Sequence, residues 1–398
     1  MALLKKRPRI KILLLIGLPL LVGAVVFALS ISSNFQMTSD VIDNAGGAST
    51  STNYQVIDAV GQPSPIGESS STNYIMKAGF VHTLQGIVLR IVCGHGLDGK
   101  GWVKFFSTTG IGLSTFKAFG GANSRGEVQL AGGDVDGDDV DEIAAGHGEG
   151  GKSWIKFFEV NGTLISTFKA FGASNAQGEV HLAIGNFDAD PSMEIAVGQG
   201  DGGQSWVKTF EINGTPITSF KTFGAANAQG EVHVAVGDLE NADGIDEIIV
   251  GMGNDGSSMV KIFNCDGTTV IRSFKAFEDV DNLGGEVHLA VGNFDADADL
   301  EIAASTGYNG GNKVRLFEKD GTLIRQFLAF GFGSNTNGDV EIAATDIDDD
   351  DIDEIICGQG EGGSSWVKLF KANGTFIRSF KAFGGVNSQG EVKLTTVE

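Results

Sequence analysis

"GEVHLAIGNFDADPSMEIAVGQGDGGQSWVKTFEINGTPITSFKTFG", residues 178–224, decides how the chain is read. It holds four short apolar or β-branched runs, separated in turn by an Asp-rich loop, a glycine turn and an Asn-Gly pair. None shows helical periodicity, so the stretch predicts four short strands, A to D, joined by hairpin turns.

The same unit recurs. The Gly that opens it stands at Gly126, Gly178, Gly230, Gly285, Gly338 and Gly390, spaced 52 to 55 residues apart. Four short strands in a repeat of this size mark a propeller blade. The first copy lacks strand A and begins at Ile87-Val88-Leu89-Arg90-Ile91-Val92, which aligns with strand B. The last segment, "GEVKLTTVE" at 390–398, is strand A alone. Joined, they make one blade. With whole blades at 126–177, 178–229, 230–284, 285–337 and 338–389, the expectation is an all-β, six-bladed propeller of four-stranded blades. The last strand completes the first blade, so the ring leaves no open sheet edge.

The glycine turn invites another reading. "GHGEGGKSW" at 146–154 fits the phosphate-loop pattern, and an apolar strand precedes it. A phosphate loop must open a helix, whose free N–H groups and dipole face the anion. Here it leads into Trp154-Ile155-Lys156-Phe157-Phe158, a strand, and then Asn161-Gly162, expected as a two-residue type I′ turn. The stretch recurs as "GHGLDGKGW" at 94, "GQGDGGQSW" at 198, "GMGNDGSSM" at 251 and "GQGEGGSSW" at 358. Gln204, Ser257 and Ser364 replace Lys152 while the glycines persist, which identifies a structural turn between strands B and C.

The loop between strands A and B carries the chemistry. In the first whole blade, Asp134, Asp136, Asp138 and Glu142 place side-chain oxygens at positions 1, 3, 5 and 9, with the Val140 carbonyl at 7. That spacing wraps a hard cation much as an EF-hand loop does, without the flanking helices. The other copies are Asn186, Asp188, Asp190, Ser192 and Glu194; Asp238, Glu240, Asp243, Ile245 and Glu247, with one inserted residue; Asn293, Asp295, Asp297, Asp299 and Glu301; and Asp346, Asp348, Asp350, Ile352 and Glu354. An acidic turn needs no metal, since Asp and Asn suit turns anyway. Five clusters of carboxylates that repel one another without a counter-ion favour up to five calcium ions. The absence of His and Cys from the loops argues against zinc and copper.

At these residues the chain resembles the FG-GAP repeats of integrin alpha-subunit propellers and of many secreted bacterial proteins. The Phe-Gly half stands at Phe119-Gly120, Phe171-Gly172, Phe223-Gly224 and Phe383-Gly384, and the Asp loop lies where that family binds calcium. The resemblance spans roughly residues 87–398. It departs in having Glu at position 9 and in Pro191 at position 6 of the second loop, which cannot take a positive φ.

Other repeated residues carry weaker signals. Glu127, Glu179, Glu231, Glu286, Asp339 and Glu391 begin the six strands A, followed two residues on by Gln129, His181, His233, His288, Glu341 and Lys393. These read as the lining of a hydrated axial channel, with a central metal or catalytic ring as the alternative. Trp102, Trp154, Trp206 and Trp366 are expected to pack under the glycine turn, or else to form a sugar-stacking platform. The strand C cations Lys104, Lys156, Lys208, Lys261, Arg315 and Lys368 are expected along solvated outer edges. Asn161, Asn213 and Asn373 begin sequons, but hairpin turns account for them. Cys93, Cys265 and Cys357 form no disulfide framework, and Cys93 and Cys357, at equivalent repeat positions, read as buried small hydrophobes.

The 398 residues hold 59 glycines, only 6 prolines and a net charge of −22. Such a surface repels nucleic acid and anionic lipid and attracts cations. Residues 1–30 differ: Lys5, Lys6, Arg7, Arg9 and Lys11 precede the apolar run Ile12–Leu29. This is expected to be either a cleaved secretory signal or a retained N-terminal membrane anchor, sending the rest out of the cytoplasm. Residues 31–86 carry "STNYQV" at 51 and "STNYIM" at 71 and are expected to form a small β-rich module or stalk, resembling short Asn-Tyr repeats of secreted bacterial proteins. No nucleophile, base and orienter fall together. The expectation is a non-enzymatic, monomeric adhesion or recognition module for a protein or glycan at the cell surface. A polysaccharide lyase and a purely structural calcium-stabilised spacer are the alternatives.

Overall fold

The computed structural model describes six strands between Ile31 and Ala78, by backbone only, and residues 89–398 apart from 122, 174, 189, 191, 225, 226, 296, 298, 386 and 388. The signal or anchor at 1–30 and the Pro191 departure therefore lie outside the described residues. The chain divides into two units, Met1–Val88 and Leu89–Glu398. In the first, Ile31–Ser32, Phe35–Asp40, Ala45–Thr50 and Gln55–Val60 form one antiparallel sheet, and Gly67–Ser71 pairs with Tyr74–Ala78.

The second unit is the six-bladed ring. In blade 1, strands Val128–Gly133, Glu142–His147, Trp154–Phe158 and Leu164–Lys169 pair antiparallel in chain order. Blades 2 to 5 repeat this order. The sixth sheet is the composite: Val392–Val397 pairs with Arg90–His95, from Val392 against His95 to Val397 against Arg90. Trp102–Ser107 and Gly112–Lys117 complete it. Strands A and B are buried almost throughout, while strand D is largely exposed, so burial falls outward from the axis.

The core lies in the seams between blades. One cluster combines Ile155, Phe157 and Phe171 of blade 1 with Val180, Leu182, Ile195 and Phe210 of blade 2. The last seam joins Ile356, Leu369 and Phe383 of blade 5 to Ile91, Val392 and Leu394 of the composite blade. Cys93 and Cys357 sit buried in these seams as small apolar side chains.

The strand C cations do not lie along solvated edges. Lys156 donates to the Ala118 carbonyl at 3.0 Å and sits 5.1 Å from the ring centre of Phe119, both on the preceding blade. Lys104, Lys208, Lys261, Arg315 and Lys368 do the same to Ala382, Ala170, Thr222, Ala276 and Ala329, each over the adjoining Phe. The long aliphatic stem carries the charge from one blade to the open carbonyl and π-face of the next. All six seams are clasped this way. Lys156→Met keeps the stem and removes the charge. It is expected to cost about 1–3 kcal/mol in denaturant unfolding, and no loss would mean that the clasp contributes nothing.

Two smaller expectations change. Trp102, Trp154 and Trp366 are 37–39 % exposed, whereas Trp206 is half-buried and packs against the core of the seam between blades 1 and 2. Their position begins strand C, one residue before the strand's first fully buried side chain, Val103 or Ile155. The Asn-Gly hairpins are not type I′, since only the glycine takes positive φ, 85° at Gly162. Gly162 N–H donates to Glu159 and Glu159 N–H to Thr163, giving a type I turn closed by a glycine bulge.

Candidate metal centre

Strand A runs outward from its ring carboxylate to the acidic loop, so the five loops gather on one face of the propeller and the glycine turns on the other. In blade 1, Asp134 folds the loop around itself. One of its oxygens accepts from Gly137 and Asp138, the other from Asp139, which takes a φ of 66°. The Glu142 carboxylate comes back from strand B and accepts from Val135 at 3.1 Å. Asp134, Asp136 and Glu142 thereby offer oxygens lying within 4.8 Å of one another. Asp188, Asp190 and Glu194 do so in blade 2, and Asp295, Asp297 and Glu301 in blade 4. These groups could hold a metal ion.

The buried glutamate is the distinctive member. Glu194 Oε2 accepts from Phe187 and Glu301 Oε2 from Phe294, yet Oε1 of each is buried with no hydrogen-bond partner. Burial, with the aspartates beside it, pushes Glu142 up to about 8. Burial likewise pushes Glu194 and Glu301 up to about 7. An unpartnered oxygen in a carboxylate cluster is costly unless a proton or cation meets it.

The loops are not equivalent, and the sequence reading missed the residue that separates them. It follows the last Phe of strand C. There Glu159, Glu211 and Glu318 stand close enough to the loops of blades 1, 2 and 4 for the loop aspartates to raise them, after burial. In blade 5 the same position is Lys371, whose ammonium lies 3.0 Å from Asp348, 3.6 Å from Asp350 and 3.6 Å from Glu354. A lysine already occupies the cation position there. Blade 3 has Asn264 at this position, and Arg272 lies 3.5 Å from Glu240. That contact is to Glu240 Oε1, and Asp238 Oδ1 is buried with no hydrogen-bond partner. Asn241 and Ala242, at and beside the inserted residue, take positive φ. Asp243 accepts from Ile245, and Glu247 accepts from Leu239 and Glu240.

One recurring neighbour was also missed, the residue before the position 9 glutamate. Asp246 accepts from Asn186 N–H of the preceding loop at 2.9 Å and Asp353 from Asn293 N–H at 2.8 Å, while Asp141 accepts from Glu398 N–H. These carboxylates tie the blade 2 loop to blade 3, the blade 4 loop to blade 5 and the last residue to blade 1, while Met193 and Leu300 hold the position in blades 2 and 4.

On the opposite face, the glycine turns do hold an anion, though not a phosphate. The N–H groups of Leu97, Glu149, Asn254, Tyr308 and Glu361 donate to the carboxylates of Glu391, Glu127, Glu231, Glu286 and Asp339 at 2.7–3.0 Å. A side chain at Gly148 would meet Glu127 at 2.3 Å, which explains why that glycine persists through the repeats. The axial carboxylates are buried, and with Glu149, Asp201 and Glu361 they line a mouth of about 190 Å³. Lys393 lies 2.6 Å from Glu341, 2.6 Å from Glu391 and 3.2 Å from Glu127. Against the effect of burial, these carboxylates hold its ammonium well above the ordinary range.

No family description and no curated protein matches the sequence. A crystal structure of a protein of unknown function from Bacteroides caccae aligns at 11% identity and a TM-score of 0.51, over 78% of this chain and 99% of that one. At that identity the likeness shows fold alone. Apo AztD from Citrobacter koseri aligns at 8% identity and a TM-score of 0.41, over 78% of this chain and 99% of that one. BBS1N in complex with ARL6DN aligns at 12% and 0.39, over 63% and 68%. The all-β six-bladed ring stands on its own strand pairing.

Proposed function

We propose that the protein is a calcium-binding propeller of the FG-GAP type, acting outside the cytoplasm as a non-enzymatic recognition module for a protein or glycan. One observation carries the calcium reading: in blades 2 and 4, a glutamate with one buried oxygen that lacks a hydrogen-bond partner joins two aspartates in a group whose ligand atoms lie within 4.8 Å of one another. All-oxygen ligands on flexible loops suit calcium better than magnesium, which demands tighter octahedral geometry. The recognition reading rests on the near-identical blades and on the lack, among the described residues, of a nucleophile–base–orienter set. An enzyme acting on acidic polysaccharides fits poorly, since the axial mouth is lined by carboxylates. A glycan and surface-protein binding screen with and without calcium tests the module, and turnover of an acidic polysaccharide would overturn it.

The blade 5 loop supplies a sharper test. Lys371→Glu restores the residue found at this position in blades 1, 2 and 4. It is expected to add one bound calcium per chain and about 2.7 kcal/mol of calcium-dependent stability at a hundredfold excess over Kd. Asp348→Ala in the unaltered protein should leave calcium stoichiometry unchanged, whereas Asp136→Ala should remove an ion.

A further inference from the structure

Three histidines occupy consecutive positions of the axial layer beneath the carboxylate ring. His181 Nε2 lies 3.0 Å from Glu231 Oε1, and His233 Nε2 lies 3.7 Å from the same oxygen. One blade on, His233 Nε2 is 2.9 Å and His288 Nε2 3.7 Å from Glu286 Oε1. In each triad, ligand atoms of all three residues fall within 4.8 Å. Tetrahedral zinc with bonds near 2.0–2.1 Å separates its ligands by about 3.3 Å, a value the imidazole–carboxylate spacings bracket. The carboxylates are already aimed. Asn254 N–H holds Glu231 Oε2 at 2.8 Å and Tyr308 N–H holds Glu286 Oε2 at 2.8 Å, leaving Oε1 toward the imidazoles.

The ring is asymmetric in charge. Lys393 serves Glu127, Glu341 and Glu391 on one side, and Gln129 bridges Glu127 and Glu179. The opposite side packs Glu231, Glu286 and Asp339 against the three imidazoles and the glycine-turn N–H groups. All of these side chains are buried, where carboxylates require a cation or a full set of hydrogen bonds. The acidic mouth above, with His181 in its lining, is an attractive path for a cation. Below the histidines, Leu182, Val234 and Leu289 line the channel.

We propose that this half of the axial layer is a transition-metal site, binding one zinc-class divalent ion through His233, Glu231 or Glu286, and His181 or His288. Two imidazoles and a carboxylate suit zinc, not calcium. His233 Nε2 belongs to both triads, so the site holds one ion at a time.

The test is competition titration of the full chain with Zn²⁺ in saturating calcium, with Co²⁺ as a spectroscopic probe. One ion per chain and the visible bands of tetrahedral Co²⁺ are expected. Gln129 already fills this layer in blade 1 and bridges two carboxylates, so His233→Gln keeps the hydrogen bonding while removing the shared ligand. Its zinc affinity should fall more than about a hundredfold, beyond what loss of a supporting residue costs. His181→Gln and His288→Gln should each weaken binding less, because one triad survives. Asp136→Ala should leave zinc binding unchanged, which separates this site from the calcium loops. Zinc binding equal in His233→Gln and the unaltered protein, octahedral Co²⁺ spectra, or two ions per chain would overturn the assignment.

Discussion

Chelating calcium from the propeller is expected to lower its melting temperature by roughly 15 °C or more. The loops of blades 1, 2 and 4 each add about 2.7 kcal/mol at a hundredfold excess over Kd, if the ion binds only the folded state. Together they supply about 8 kcal/mol, and each kcal/mol shifts the transition of a large domain by about 2–4 °C or somewhat less. The chelated protein should also show a distinctive pH dependence. Glu142, Glu194 and Glu301 rise in the folded state from an ordinary 4.5 to about 8, 7 and 7. A raised carboxylate contributes stability that is complete below its unfolded pKa and is lost as pH rises through its folded one. Chelated protein should therefore melt lower at about pH 8.5 than at about pH 6, and calcium should remove most of that difference. Thermal unfolding in calcium and in chelator at both pH values decides the matter. A curve indifferent to calcium would defeat the metal reading.

A variant ending at Gln389 is expected to aggregate. It loses the strand that pairs with Arg90–His95, together with the buried Val392, Leu394 and Val397. Each buried aliphatic side chain contributes about 1.5–3 kcal/mol, before the ladder hydrogen bonds are counted. Lys393 goes too, leaving Glu127 and Glu341 without their ammonium in the axial layer. Removing one partner of a buried ion pair costs about 3–5 kcal/mol by itself. The strand Arg90–His95 would then present a free edge that other chains can pair with. Sedimentation and thermal melting of the truncated protein test this. A monomer that melts like the full chain would show that the closing strand contributes little.

The ring was legible because its determinants are local and repeated. Alternating apolar runs, glycine turns and Asn-Gly pairs report strand and hairpin within a few residues of themselves, and six copies remove the ambiguity of any one. The incomplete ends, Ile87–Val92 and 390–398, were legible as one blade for the same reason. The Asp loops also declared themselves, since the spacing of Asp134, Asp136, Asp138 and Glu142 is a property of the chain.

The tertiary structure alone decided what long or buried side chains meet across a seam. Lys156 and its five equivalents looked like surface cations, but the neighbouring blade presents an open carbonyl and a Phe ring within reach of the stem. Lys371 is seventeen residues from Glu354 in the chain, and only the antiparallel return of strand C brings its ammonium into that loop. The histidines of the axial layer sit about fifty residues apart, and closure of the ring sets His181 beside Glu231 and His233 beside Glu286. Sequence periodicity reports which face a side chain leaves from. Where its charged end arrives depends on the distance to the next blade, and that distance exists only once the ring has closed.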